Sequence, residues 1–146
     1  MIINQEKFPT SDEGRAQFKP LWDAHGIEIR NEPFSLFFSS FERIQNEQRL
    51  IWVVARDDGD PVGYSCHWWY RSMHWAERVA VDDMWYVVAP WRNAGVGADM
   101  KKLGHSLLRQ AGTVHTADAI RFAGTKPGLM AGLGFIPWGV QWRKTL

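Results

Sequence analysis

The sequence predicts an α/β chain of the α+β type, with helices flanking a mixed, mostly antiparallel sheet. Two observations carry that prediction. Residues 49–56, 62–71 and 78–89 read as a three-strand meander whose first turn is Asp58-Gly59-Asp60-Pro61. The last of these strands then runs into a glycine loop that opens an amphipathic helix, the order expected of a strand–turn–helix unit.

The first expected element is a helix. Thr10 with Glu13 makes a capping-box pattern at its start. Pro20 interrupts it, so the segment as far as His25 is expected as two short helical pieces or one kinked helix. After Pro33, the residues Phe34, Phe37, Phe38, Phe41 and Ile44 recur at helical spacing and predict a second amphipathic helix. Within the third strand, residues 84–89 are almost wholly apolar, as in a strand covered on both faces, and Pro90 ends the run. Val96, Met100, Leu103 and Leu107 then give one apolar helix stripe, with Asp99, Lys101, Lys102, His105 and Arg109 on other faces. Gly112 stops that helix. Residues 113–117 follow as a short strand, 125–133 as a Gly-rich helix, and two terminal strands surround Trp138-Gly139.

Between strand and helix lies Arg92-Asn93-Ala94-Gly95-Val96-Gly97-Ala98. Two glycines at a helix N-terminus let the backbone approach a ligand and aim unpaired N–H groups at it, while the helix dipole adds partial positive charge. Such a bend suits a pyrophosphate. It lacks the GK[ST] ending of a P-loop and the third glycine of a dinucleotide fingerprint. A tight turn whose glycines serve packing only is the plain alternative.

At 146 residues the chain has the size of one domain with a real core. A net charge of +1 gives no electrostatic case for nucleic acid or anionic membrane as the main partner. The N-terminal stretch MIINQEKFPT has no apolar core of signal-peptide length, and no run approaches a membrane span. The single Cys66 excludes an internal disulfide and suits a reducing cytoplasm. The five histidines and Cys66 show no zinc-ligand spacing, so no metal is expected. Nine tryptophans exceed what so small a core usually needs, which points to a lined cleft.

The motif Arg-x-x-Gly-x-Gly after a strand ending Val-x-Pro resembles the acetyl-coenzyme A loop of the GCN5-related N-acetyltransferase (GNAT) superfamily. The order of elements along the whole chain is similar to that fold, as is the closing Leu133-Gly134-Phe135. PLWDAHG and ARDDGDPVGY also look like small acetyltransferases of phage and bacterial genomes, which would place the protein in the host cytoplasm if phage-encoded. The resemblance implies about six or seven strands and about four helices, with splayed strands at the cofactor. It further implies acetyl-CoA as acetyl donor and an amine as acceptor, without a covalent enzyme intermediate. Backbone groups of Tyr86, Val87 and Val88 would pair with the pantetheine arm, and a backbone N–H near Val87 would polarise the thioester. N–H groups from Asn93, Ala94, Gly95, Val96, Gly97 and Ala98 would take the pyrophosphate, with Arg92 nearby.

An amine must lose its proton as it attacks, and the family often carries an acidic base early in this strand. Asp82 and Asp83 both qualify. Alternation along a strand points them to opposite faces, and both stay open as candidates. Relatives often supply a late-helix tyrosine to protonate the leaving thiolate; Met130 stands at that position here, and Met has no proton to give. The acceptor side would come from Trp22, His25, Glu28, Phe34, His67, Trp68, Trp69, Tyr70, His74 and Trp75. Flat, apolar or cationic acceptors suit such a wall. Its alternative is a core plus a dimer surface, and His25 alternatively ends a helix near the kink. Lys101 and Lys102 reach toward the cofactor ribose or are simply solvated. A homodimer through the C-terminal edge is compatible with the pattern. The competing reading of the whole chain is a non-catalytic domain of this fold that binds an acyl-CoA or a protein.

Overall fold

The computed structural model describes residues 1–73, 76–113 and 115–118. Its elements run β1 (Ile2–Glu6), α1 (Asp12–Arg30), α2 (Phe38–Asn46), β2 (Leu50–Asp57), β3 (Asp60–Arg71), β4 (Arg78–Val87), a 3-10 turn (Ala89–Trp91), α3 (Val96–Gln110) and β5 (His115–Asp118). The strands form one sheet in the order β1-β2-β3-β4-β5. The first four are antiparallel neighbours, and β5 lies parallel to β4, so β4–α3–β5 is a crossover unit. The expected late helix and terminal strands lie outside the described residues.

Strand β1 is a correction to the expected order. Its side chains give no clear alternation, and Ile2 is 63% exposed, so little in the sequence marks it. Main-chain pairing with β2 makes it a strand, and Arg56 fixes the register by donating from Nε and Nη2 to Glu6 at 2.7 and 2.9 Å.

Helix α1 differs in two ways. Its N-cap is Ser11, whose Oγ accepts from the Gly14 N–H at 3.1 Å, one residue later than the Thr10 pattern. The helix also runs on to Arg30, past the expected end at His25, and crosses Pro20 as a single element, one of the two expected forms. Pro20 removes the hydrogen bond to the Ala16 carbonyl, but both residues are exposed, so water takes that oxygen. Meanwhile Phe18, Leu21, Trp22 and His25 keep one buried face continuous. The helix ends at Asn31, in the left-handed conformation with its N–H on the Ile27 carbonyl.

Helices α1 and α2 cover one face of the sheet, where Phe8, Phe18, Trp22, Trp52, Val54, Tyr64, Cys66 and Tyr86 pack together. Helix α3 covers the other, over Ile51, Val53, Ala55, Ala80 and Val87. Asp58 and Gly59, at φ 47 and 93°, turn the chain tightly between β2 and β3. Among the described residues, no helix is long and apolar enough to cross a membrane.

Candidate cofactor and catalytic site

Strand β4 carries an extra residue. Cys66 pairs with Met84 and His67 with Asp82, so Asp83 has no opposite number on β3. The bulge resets the alternation: Asp82 faces α3, while Met84 and Tyr86 pack toward α1. The surroundings of the two carboxylates differ sharply.

Asp82 is buried and saturated. Its carboxylate accepts from His67 Nδ1 at 2.5 Å, Lys101 Nζ at 3.0 Å and His105 Nε2 at 3.0 Å. Burial alone pushes the carboxyl up, but the hydrogen bonds from His105 and His67 and the charges of His67 and Lys101 outweigh it and hold Asp82 well below the usual carboxylate range. His67 Nε2 meets Ser65 Oγ at 3.0 Å. Ser65, His67 and Asp82 are thus connected in the order of a nucleophilic relay, yet Ser65 is fully buried under the sheet's helix layer, out of an acyl group's reach. The metal-type atoms of His67, Asp82 and His105 lie within 4.8 Å of one another. Lys101 already supplies the cation that neutralises this carboxylate, so hydrogen bonds account for the cluster.

Asp83 is the opposite case. It lies exposed at the bulge and, among the described residues, makes no hydrogen bond or ion pair. Neighbouring groups still crowd it enough that desolvation pushes its carboxyl up.

Beyond the bulge, β5 pairs with β4 only from Val79 to Asp82, so the outer edge of residues 83–87 has no partner among the described residues. Val88 N–H donates to Val62 O at 3.0 Å on the β3 side, which removes Val88 from the expected set of free groups. Backbone groups alternate along a strand, so those of Tyr86 face β3 and those of Val87 face the open edge. Accordingly, Val87 O accepts from Arg92 Nε at 2.7 Å.

The loop follows at once. Gly95 caps α3 in the left-handed region at φ 81°, with nothing within 4 Å of where a Cβ would stand. Asp99 N–H is the first to bond back, to Gly95 O at 3.0 Å, so the helix gives Val96, Gly97 and Ala98 N–H no acceptor. Asn93 and Ala94 lie exposed beside them, although Ala94 N–H turns back to Trp91 O at 3.3 Å. Gly97 has a second duty: a Cβ there would meet Trp85 Cζ2 at 2.7 Å, so its bare Cα lets α3 settle on the sheet.

The expected acceptor residues have different surroundings. Trp22 is 3% exposed, stacks with Phe8 and Phe18 in the core, and also lines a pocket with Lys19, Asp23 and Phe34. His25 is mid-helix and buried, with Nδ1 2.7 Å from Tyr64 Oη and its ring stacked on Tyr86. His67 belongs to the Asp82 cluster. Trp69 lies on the α3 side under the Arg78 guanidinium, whereas Trp68 and Tyr70 contact each other on the opposite face. Phe34 packs edge-on against His25. Glu28 is exposed and grips Arg92 through both oxygens. His74, Trp75, Met130 and the closing Leu133-Gly134-Phe135 lie outside the described residues.

Lys101 was expected either to reach the cofactor ribose or to be solvated, and is instead 1% exposed. Its signal was the spacing of Gly97, Lys101, Gly104 and Leu108, one continuous stripe on α3. Gly104 is what admits the cluster, since a Cβ there would meet His67 Nε2 at 2.3 Å.

No protein-family model matches the chain, and no curated protein sequence is similar to it. Solved structures share its fold. An aminoglycoside acetyltransferase from an uncultured soil metagenomic sample, in complex with sisomicin, has a TM-score of 0.74 at 16% identity, over 99% of this chain and 96% of that one. A GNAT family acetyltransferase of Staphylococcus aureus has a TM-score of 0.73 at 14% identity over 100% of both chains. A ribosomal-protein-alanine N-acetyltransferase of Brucella melitensis has a TM-score of 0.66 at 14% identity, over 100% and 98%. The chain has the GNAT fold.

Proposed function

We propose that the protein is an N-acetyltransferase that takes acetyl-CoA and passes its acetyl group to a primary amine by direct attack. The observation that carries this reading is the edge of β4, open among the described residues, leading into the left-handed Gly95 and a first turn of α3 whose N–H groups have no partner among those residues. That arrangement suits a pantetheine arm followed by a diphosphate. Val87 would pair with the arm, and N–H groups of Val96, Gly97 and Ala98, with the exposed Asn93–Gly95 turn, would hold the diphosphate. The cofactor brings an acetyl group activated as a thioester.

The chain's own groups divide the remaining work. Asp83 takes the proton of the attacking amine, directly or through one water, because it is accessible, without a partner among the described residues and raised toward the working pH. Asp82, locked by three donors and held strongly acidic, is unsuited to that role and serves as structure. The outward N–H of Val87 would polarise a carbonyl at the strand edge. Cys66 is fully buried, and burial pushes its thiol well up, which disfavours a covalent acetyl-cysteine route.

Incubation with acetyl-CoA and a panel of polyamines, aminoglycosides and peptide N-termini tests the proposal. Thiol release that depends on an acceptor supports it. Tight CoA binding with no turnover across the panel would instead favour a non-catalytic acyl-CoA-binding domain.

A further inference from the structure

Arg92 is held away from the loop it belongs to. Its Nη1 and Nη2 donate to Glu28 Oε1 and Oε2 at 2.7 and 2.5 Å, its Nε donates to Val87 O at 2.7 Å, and its guanidinium lies 5.3 Å from the centre of the Tyr86 ring. Glu28 stands in the last turns of α1, 64 residues away in sequence, so this grip ties α1 to the end of β4. A carboxylate and a phosphate offer a guanidinium the same paired-oxygen geometry. Arg92 lies three residues before Gly95, in the loop that leads into the first turn of α3.

We infer that Glu28 is an internal competitor for the diphosphate: it occupies Arg92 in the free protein, and a bound diphosphate takes the guanidinium from it. This rests on the cofactor reading above and adds a residue that sets cofactor affinity from outside the loop. The exchange is balanced in kind, one bidentate anion for another, with the diphosphate carrying more charge. Once released, the Glu28 carboxylate stands free near the end of α1, the helix that covers the Tyr86 face of the sheet. Diphosphate binding thereby changes the charge presented to an incoming cationic amine.

Side-chain exposures of 36% for Arg92 and 47% for Glu28 mean that water screens the pair, which keeps the effect small. Calorimetric titration of coenzyme A into the wild-type protein, Glu28→Gln, Arg92→Gln and the double variant tests the exchange. Glu28 is a surface residue of a helix anchored elsewhere, so Glu28→Gln keeps the fold, and Glu28→Ala serves as a second variant. Removing the competitor is expected to tighten CoA binding about two- to fivefold. Arg92→Gln weakens binding, and in its background the gain from Glu28→Gln vanishes. Wild-type binding with no gain, or a loss, in both Glu28 variants overturns the competition and leaves the cofactor site standing. Failure of all the proteins to bind coenzyme A overturns the cofactor reading and this inference with it.

Discussion

Asp82 and Lys101 meet between the sheet and α3, carboxylate to ammonium at 3.0 Å, both sealed from solvent. The pair joins the strand that carries the bulge to the helix that opens at the loop. Removing one partner leaves a buried charge without its counterpart, so Asp82→Asn is expected to destabilise by about 3–5 kcal/mol. The pH dependence has a definite sign. The folded state holds Asp82 well below the ordinary value near 3.9, so as pH falls the unfolded chain binds the proton first. The contribution is complete above about pH 4 and is lost progressively below it. Urea unfolding from pH 7 to 2 should show this loss in the wild type and a flatter profile in Asp82→Asn. Equal profiles would remove Asp82 from the stability account.

Asp83→Asn is expected to leave the melting temperature nearly unchanged, because the side chain is exposed and holds no partner among the described residues. Acceptor-dependent thiol release should fall about 10²–10⁴-fold. A general base works only when ionised, and desolvation raises this carboxyl. The acid limb of kcat/KM should therefore lie above the ordinary aspartate value, with rate rising as pH increases through it. Full activity in Asp83→Asn would reassign the base.

Gly104→Ala separates packing from helix propensity. Alanine normally stabilises a helix interior by about 1 kcal/mol over glycine. Here its Cβ would stand 2.3 Å from His67 Nε2, and His67 is fixed by Asp82 and Ser65. The clash should win, with a net loss of about 1–3 kcal/mol in chemical denaturation. A stabilised variant would show that His67 moves freely.

The start of α1 offers a smaller test of residue assignment. Ser11→Ala should lose about 1 kcal/mol in thermal unfolding, whereas Thr10→Ala should lose almost nothing, because Ser11 Oγ makes the capping bond.

What the sequence made legible follows from the range of the forces involved. The three-strand meander and the Gly95 loop were visible because local patterning and turn chemistry set them, as with Asp58 and Gly59. Helix α1 stays one helix across Pro20, one of the two forms expected there, because whether a lost bond matters depends on which face meets water. Strand β1 was missed because its partner, β2, begins more than forty residues later and supplies its hydrogen bonds. The Asp82 cluster draws on β3, β4 and α3, so no local spacing announces it; only the Gly97–Lys101–Gly104 stripe hinted that a lysine was buried. The bulge at Asp83 arises from register between two strands, which alternation along one strand cannot reveal.

The most direct measurement is calorimetric titration of coenzyme A into the wild-type protein and Ala94→Glu. Ala94 is exposed in the loop, so the variant should fold normally while placing a carboxylate where the diphosphate would sit. Saturable binding to the wild type is expected, with affinity lower by about tenfold or more in Ala94→Glu, or about 1.4 kcal/mol. Wild-type protein that fails to bind coenzyme A, or a variant that binds it equally well, would contradict the assignment of this loop as the diphosphate site.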